Sequence, residues 1–202
     1  MGRQNHLRLP SSYTLTINCQ TITVTNPVTN TGTAGVAFSQ TFTQSGAHGA
    51  ATFSTASTLP TGLSLSTAGV LAGTPGQIGS FPTVVTVTDA NSCTGTGATY
   101  NLTIVCPTIT VTRTGGGSFP AGIYNTAYTG QSVTASGSSG FTFGVTVGAL
   151  PTGLSLAMAG AISGTPTATG AFTFTVTATD QYGCTGSQAF TIHIKPNAVD
   201  DT

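Results

Sequence analysis

The chain contains one seventeen-residue stretch twice. "LPTGLSLSTAGVLAGTP" occupies residues 59–75, and "LPTGLSLAMAGAISGTP" occupies residues 150–166. The two copies share twelve of seventeen positions and begin 91 residues apart. They consist of apolar and small residues with Gly and Pro at fixed places, and neither copy holds an ionisable side chain. The stretch therefore indicates a repeated structural unit, and a ligand-binding loop is the weaker alternative.

Backbone chemistry explains why this stretch is repeated so closely. Pro60 fixes its own φ and has no N–H for a ladder, so the chain enters as an edge or polyproline-like segment. Leu63 and Leu65 are two residues apart and point to one face of a strand, where we expect a core. Gly69 permits a tight turn at positive φ, and the returning strand brings Leu71 to the same core. The stretch therefore predicts two short strands joined by a turn.

The repeat extends beyond this stretch in both directions. "CQTITVT" begins at Cys19, and "CPTITVT" begins at Cys106. Asp89 and Asp180, also 91 residues apart, each end a run that alternates Thr with apolar residues. Units of this length are too long for solenoid turns and have the size of whole β domains. We therefore expect four segments: an N-terminal segment at 1–18, unit one at 19–105, unit two at 106–195, and a tail or the start of a further repeat at 196–202.

The composition favours β structure. Thr accounts for 43 of the 202 residues, and charged residues make up only 4%. Thr is β-branched and suits strands, and residues 172–179, "FTFTVTAT", alternate apolar residues with Thr to give one buried and one hydroxyl-lined face. Each unit shows six or seven such short strands between Gly, Pro and Asn residues. The sequence therefore predicts an all-β protein with two tandem Ig-like β-sandwich domains.

Other classes fit the sequence less well. A disordered chain lacks β-branched apolar residues in period-two runs, and no helical periodicity is present. Four Lys and Arg residues are too few for a phosphate-binding surface, so we expect no nucleic acid partner. No stretch approaches the roughly 20 apolar residues that span a bilayer, so we expect no membrane span.

The four cysteines follow the repeat. Cys19 and Cys93 are 74 residues apart, and Cys106 and Cys184 are 78 apart. No CxxC pair or zinc pattern is present. An even number of cysteines in register with a repeat indicates disulfides and an oxidising compartment, although four buried free thiols remain the alternative.

Both units carry a recognisable family pattern. "LPTGLSL…AGVLAGTP…GSFPTVVTVTD" and "LPTGLSL…AGAISGTPTATGAFTFTVTATD" resemble the Ig domain family of bacterial surface proteins, which is related to cadherin-like and dystroglycan-type domains. The resemblance covers roughly residues 19–195 and implies an Ig-like fold, with little information about activity. The family usually carries a Trp before the Leu-Pro motif, whereas Phe53 and Phe143 stand near that place here.

The Ig-like fold implies a disulfide pairing. Its first strand begins at the same end as the loop between its last two strands. Cys19 and Cys106 open first strands, whereas Cys93 and Cys184 lie in those loops. We therefore expect Cys19–Cys93 and Cys106–Cys184.

The cadherin-like resemblance raises the question of calcium. Ca²⁺ takes six to eight oxygen ligands, often from several carboxylates. Each unit offers only one carboxylate, Asp89 or Asp180, and a lone Asp after a strand is more often a turn residue. Asp180, Asp200 and Asp201 are therefore weak metal candidates, and we expect no other cofactor.

Catalytic and sugar-binding patterns are weaker. His6, His48 and His193 occupy unrelated places, and no Ser-His-Asp order or carboxylate pair recurs in the units, so we expect no enzyme. Tyr124 and Tyr128 flank a loop in unit two and could contact a sugar, but packing is the better interpretation because unit one has no equivalent pair.

The N-terminal segment contains a strand without a unit. "YTLTINC" at 13–19 matches "YNLTIVC" at 100–106, which ends unit one. Tyr13, Leu15 and Ile17 form one apolar stripe, and such an edge can dock on a sheet by strand addition. Both units already have their own last strands, so we expect no empty groove in either.

These features favour a non-enzymatic, extracellular or cell-surface module made of semi-rigid repeats, as in a stalk or an adhesin. The alternative is a self-assembling extracellular filament subunit joined by strand addition through the N-terminal segment. A carbohydrate- or calcium-binding module is the third interpretation. The expected partners are other repeats of the same or a neighbouring chain, including a homopolymer.

Overall fold

A computed structural model of the chain describes residues 18–197. Tyr13, Leu15, Ile17, Asp200 and Asp201 lie outside these residues. The described part consists of strands, turns and irregular segments without a helix, as the all-β prediction requires. It consequently offers no helix that is long and apolar enough to cross a membrane.

Unit one forms a sandwich of short strands. Its eleven strands are β1 (Thr23–Thr25), β2 (Thr31–Thr33), β3 (Phe38–Thr41), β4 (Thr43–Ser45), β5 (Thr52–Thr55), β6 (Leu63–Leu65), β7 (Val70–Gly73), β8 (Gly79–Thr83), β9 (Val85–Thr88), β10 (Thr94–Thr96) and β11 (Tyr100–Val105). One layer contains the groups β1-β4 and β3-β7-β6, and the other contains β2-β11-β8 and β10-β9-β5. All pairs are antiparallel except β2 with β11.

Unit two has the same plan with longer strands. They are β12 (Thr110–Arg113), β13 (Gly122–Ile123), β14 (Tyr128–Ser136), β15 (Thr142–Gly148), β16 (Leu154–Leu156), β17 (Ala161–Gly164), β18 (Gly170–Thr179) and β19 (Thr185–Lys195). The two sheets have the orders β12-β14-β17-β16 and β13-β19-β18-β15. The pair β13–β19 is parallel, like β2–β11 in unit one.

Side-chain hydrogen bonds accompany one interruption between strands in unit one. The run before Asp89 that alternates Thr with apolar residues is divided into β8 and β9 at Val84. Pro82 within β8 has no N–H to donate. Val84 then bonds to side chains, because its N–H donates to Ser57 Oγ at 3.0 Å and its carbonyl accepts from Thr55 Oγ1 at 2.7 Å. The corresponding β18 of unit two runs unbroken.

Each unit has its own apolar core. Unit one buries Phe42, Leu71, Val85, Val87 and Leu102, and β18 and β19 contribute five of the twelve buried residues in the core of unit two. In β18 the predicted alternation is confirmed: Phe174, Val176 and Ala178 are buried, and Phe172 is half-buried. The Thr face forms hydroxyl pairs across strands, such as Thr173 Oγ1 with Thr191 Oγ1 at 3.0 Å.

The repeated stretch forms the hairpin β6–β7 in unit one and β16–β17 in unit two. Leu71 is fully buried, and the buried Leu63 packs with it in the core. Gly62 has φ +85°, and a Cβ at this position would lie 2.0 Å from the carbonyl oxygen of Thr74. Gly73 meets the carbonyl of Gly62 in the same way. Both glycines are required because backbone occupies the space that a side chain would need.

Two short parallel strands were not predicted. β2 and β13 consist of three and two residues and include Gly32 and Gly122, respectively. A Cβ on Gly32 would meet Ile104 and Phe38 at 3.0 Å. Their position is set by pairing with the last strand of the unit, which local residue preferences do not encode.

We expect Gly153→Ala in unit two to destabilise the protein far more than Gly115→Ala. Both glycines have similar φ values, +91° and +86°. A Cβ at Gly153 would lie 2.0 Å from the carbonyl oxygen of Thr165, whereas nothing lies within 4 Å at Gly115. Comparing the two variants therefore separates the cost of the steric clash from the cost of placing alanine at a positive φ. We expect losses of about 3 kcal/mol or more for Gly153→Ala and about 1 kcal/mol for Gly115→Ala in denaturant unfolding. Equal losses would contradict the close approach.

Candidate functional sites

One disulfide closes each unit. Cys19 bonds to Cys93 with a Cα–Cα distance of 5.5 Å, and Cys106 bonds to Cys184 with 5.6 Å. These are the two pairs expected from the Ig-like topology. No cysteine in residues 18–197 is free. Each bridge ties the segment before the first strand of its unit to the turn that precedes β10 or β19.

An aspartate organises the turn before each second cysteine. In unit one, Asp89 Oδ1 accepts hydrogen bonds from the N–H groups of Asn91 at 2.8 Å and Cys93 at 2.9 Å. Asp89 Oδ2 accepts from the N–H of His48 at 3.0 Å. The carboxylate therefore binds its own turn and fixes the cysteine that follows.

Unit two repeats this arrangement at Asp180. Its Oδ1 accepts from the N–H groups of Tyr182 at 2.9 Å and Cys184 at 2.8 Å. Its Oδ2 accepts from Ser138 Oγ at 2.7 Å. One hydroxyl donor thus replaces the backbone donor of unit one.

Both carboxyl groups favour the ionised form. The N–H of His48 is the largest influence and lowers the pKa of Asp89, whereas burial raises it and the N–H groups of Cys93 and Asn91 lower it further. For Asp180, burial has the largest single effect and raises the pKa, but the Ser138 hydroxyl and the turn N–H groups together bring it below the usual value. Donors aimed at a carboxylate stabilise its charge.

The aspartates have few lone pairs left for calcium. Both oxygens of Asp89 and of Asp180 already accept from protein donors. Within residues 18–197, no group of three or more His, Cys, Asp or Glu side chains could hold a metal ion. Of the weak candidates, Asp180 is thus a turn residue here, and Asp200 and Asp201 lie outside the described part.

Tyr182 lies at the junction of the two units. Its half-buried ring packs against the cores of both units. Beneath it lies Gly35 of unit one, with φ +75°, where a Cβ would stand 2.8 Å from Tyr182 Oη. The N–H of Gly35 donates to the carbonyl of Pro75 at 2.9 Å, and Pro75 ends the repeated stretch. β11 ends at Val105 and the disulfide-bonded Cys106 follows at once, so the junction contains no linker.

The positions equivalent to this contact differ at the outer ends. Asn91 takes the place of Tyr182 in unit one and is exposed beside a cavity of about 530 Å³ that His48 and Gln20 also line. Asn125 takes the place of Gly35 in unit two, and its N–H donates to the Pro166 carbonyl at 2.9 Å. A tyrosine over a glycine is therefore particular to the internal junction.

A groove runs beside β19 in unit two. It has a volume of about 530 Å³ and lies between β12 and β19. Its lining includes Arg113, Phe119, Gln188, Phe190 and His193. This corrects the expectation that neither unit has an empty groove.

The groove depends on the segment that crosses between the two sheets. In unit one, residues 26–30 cover this side: Asn26 Nδ2 donates to the Ala98 carbonyl at 3.0 Å, and the Tyr100 hydroxyl donates to the Thr29 carbonyl. In unit two the crossing segment is longer and contains three successive glycines with positive φ, Gly115–Gly117. A Cβ on any of them would meet nothing within 4 Å.

Arg113 forms one wall of the groove and is largely satisfied. Its guanidinium donates twice to Gln131 Oε1, at 3.2 and 3.0 Å, and once to the Gly116 carbonyl at 2.7 Å. It also stands 5.8 Å from the centre of the Phe119 ring. The guanidinium therefore shapes the glycine-rich segment rather than presenting a free charge.

The other sequence candidates have structural roles. Tyr128 is buried and its hydroxyl donates to the Pro120 carbonyl at 2.9 Å. Tyr124 is half-buried against the core. Neither tyrosine forms an exposed platform for a sugar. His193 is exposed on the outer face of β19, as its alternation with buried Ile192 and Ile194 predicts.

The profile of the Putative Ig domain family matches residues 20–105 and again residues 106–195. No curated protein sequence matches the chain.

Three solved structures show what the chain is similar to. The extracellular domain of protocadherin GammaB4 is 16% identical, with 90% of this chain and 35% of that chain covered and a TM-score of 0.38. Drosophila N-cadherin EC1-4 is 13% identical, with 89% and 51% covered and a TM-score of 0.33. The fibronectin(III)-like modules of Clostridium thermocellum CbhA are 17% identical, with 90% and 97% covered and a TM-score of 0.35. The chain thus spans about a third and about half of the two cadherin chains.

Peptide mapping without reduction should link Cys19 to Cys93 and Cys106 to Cys184. We expect the double change Cys106→Ala with Cys184→Ala to lower the free energy of unfolding by about 4 kcal/mol, because the bridge restricts a long loop in the unfolded chain. Denaturant titration checks this loss. A peptide linking Cys93 to Cys106 would contradict the pairing.

Stability should fall in acid. The folded-state pKa values of Asp89 and Asp180 lie below the ordinary 3.8. The two ionised carboxylates therefore stabilise the folded state above that pH, and this stabilisation is lost as the pH falls through the folded-state pKa. We expect the free energy of unfolding to begin to fall below about pH 5. Asp180→Asn should flatten this dependence, which denaturant titration at stepped pH measures.

The matched change in unit one serves as the comparison. Asp89→Asn can place an amide donor against the N–H of His48, which cannot reverse its direction. In Asp180→Asn the new amide group can instead donate to the Ser138 hydroxyl, because a hydroxyl can turn to accept. Asp89→Asn should therefore lower the unfolding midpoint more than Asp180→Asn at pH 7. The reverse order would refute the assigned hydrogen bonds.

Proposed function

Because the chain belongs to the Putative Ig domain family across both units, we propose that it is a non-enzymatic, semi-rigid module of an extracellular or cell-surface stalk or adhesin. Such a module holds a binding partner at a distance, so it must transmit orientation along its length. Such a module needs no reactive group of its own, which agrees with the carboxylates of Asp89 and Asp180, since both bind the backbone of their own turns.

The junction carries this proposal. Val105 and Cys106 leave no slack between the units, and the Cys106–Cys184 bridge anchors the connection at its first residue. Tyr182 rests on Gly35 and contacts both cores. A large aromatic ring held between two cores resists bending better than a flexible polar linker does.

The bridges support the extracellular location. Structural disulfides persist in oxidising compartments, and both bridges join strand starts to turns that aspartates already hold. The outer faces carry hydroxyl groups rather than charges, which suits strands with one solvated side.

A filament subunit is the second candidate function, and one observation favours it. The last strand of unit two borders an open groove, whereas the crossing segment covers the same place in unit one. A free strand edge is the element that strand addition requires.

The stalk proposal is tested by asking whether the units reorient together. We expect residual dipolar couplings of the full chain to fit one alignment tensor for both units. Tyr182→Ala should give two different tensors, because the ring no longer bridges the cores. Gly35→Ala should act in the same direction, since its methyl group displaces the tyrosine.

Tyr124→Ala is the control for these variants. Tyr124 is also half-buried, but it packs only against the core of unit two. It should lower stability and leave the shared tensor unchanged. Independent reorientation of the two units in the unaltered chain would refute the semi-rigid stalk.

A further inference from the structure

We propose that the groove beside β19 receives residues Tyr13–Ile17 of a second copy of this chain as an added β-strand. This inference rests on the second candidate function and assigns both the receiving and the donated element. It begins from the hydrogen-bonding directions along β19.

Alternate residues of β19 point their backbone groups to opposite sides. The Asp180 N–H donates to the Cys184 carbonyl, so the backbone N–H and C=O groups of the even-numbered residues of β19 point toward β18. The Lys195 carbonyl instead accepts from the Tyr124 N–H on the β13 side. Because this direction alternates along a strand, the backbone N–H and C=O groups of the odd-numbered residues of β19 point away from β18.

The groove side of β19 lacks a partner strand over most of its length. β13 pairs only with Ile194 and Lys195. Between residues 187 and 193, no backbone hydrogen bond to another strand is formed on this side within the described chain. The Ala189 carbonyl accepts only from the neighbouring Gln188 side chain, at 3.0 Å. Residues 187–193 therefore form a free strand edge of seven residues, on the same side of β19 as β13.

The inner wall of this edge is apolar. Phe119 is buried against Phe190, with ring centres 5.4 Å apart, and Val111 of β12 is buried beside them. The outer face carries hydroxyl groups, including the Thr191–Thr173 pair. A strand entering here must place apolar residues inward and small polar residues outward.

Residues 13–17, "YTLTI", have this pattern. Tyr13, Leu15 and Ile17 alternate with Thr14 and Thr16. The stripe would face the apolar wall, and the two threonines would extend the hydroxyl face. Five residues also fit within a seven-residue edge.

A closely similar sequence already forms a strand in this fold. "YNLTIV" at 100–105 is β11, in which Tyr100, Leu102 and Ile104 are buried. The donated segment is thus suited to the same alternation. Asn18 and Cys19 follow it directly, and the Cys19–Cys93 bridge fixes this point to unit one of the donor.

Donor and acceptor lie at different places on the molecule. Unit one of one copy would attach to unit two of the next, so the contact is heterologous and generates an open chain of copies. The covering segment at 26–30 closes the equivalent edge of unit one, which leaves one acceptor in each copy.

Two variants separate donor from acceptor. Deleting residues 1–17 removes the donor and keeps both described units. Ala189→Pro removes an N–H that faces the groove while leaving the ladder to β18 intact, and proline is tolerated on an edge strand. Thr99→Pro makes the same change one residue before Tyr100, as Ala189 stands one residue before Phe190, and is the control in unit one.

Analytical ultracentrifugation over a concentration series measures the outcome. We expect the full chain and Thr99→Pro to form a ladder of oligomers. The deletion variant and Ala189→Pro should each remain monomeric, and their equimolar mixture should form 1:1 dimers and nothing larger, because each supplies what the other lacks.

Three results would overturn the proposal. They are a monomeric full chain at every concentration, assembly of Ala189→Pro like the unaltered chain, and assembly that survives the deletion. A monomeric full chain would also remove the filament candidate, but it would leave the stalk proposal standing, since that proposal depends on the junction within one chain.

Discussion

The fold depends on a close backbone approach inside the repeated stretch. Gly62 and Gly73 let two segments cross where no side chain fits, and the Thr74 N–H donates to the Gly62 carbonyl at 3.1 Å. This crossing aligns β6 with β7, which delivers Leu71 to the core.

The same crossing sets the position of the junction. It directs the Pro75 carbonyl toward the Gly35 N–H, and the turn at Gly35 then forms the surface on which Tyr182 rests. A motif without ionisable groups thereby determines where two domains meet. The close backbone crossing itself recurs in unit two at Gly153 and Gly164, and it accounts for the repetition of the motif better than a ligand loop does.

The two units share a plan but differ at the crossing between sheets. Unit one uses Asn26 and Thr29 to cover the side of its last strand, whereas unit two inserts glycines and keeps Arg113 against Phe119. The difference leaves the core architecture unchanged because the crossing segment lies outside both sheets. It does change which strand edge is accessible, so equivalent domains can have different binding capacities.

Most of the fold could be predicted from the sequence, because period-two alternation and Gly or Pro at tight turns are local signals. The strand at 170–179 and the hairpin of the repeated stretch are examples. β2 and β13 could not be predicted, since two or three residues with a glycine become strands only by pairing with a distant last strand.

The candidate sites were harder to predict from the sequence than the fold. The groove depends on the path of a loop, which composition does not specify. Tyr182 carried a faint signal, because "DQYGC" places a large ring where "DANSC" has Asn91, but its role depends on Gly35, which is distant in the sequence.

The disulfides also determine how the chain responds to tension. A pull on the two ends of unit one acts near Cys19 and at Val105. Because the bridge to Cys93 is covalent, force bypasses the 74-residue span it closes. Only residues 94–105 can be drawn out, and a fully extended chain of that length measures about 40 Å. Most of the sandwich is thus shielded from the load, and even a unit that yields lengthens the chain by little.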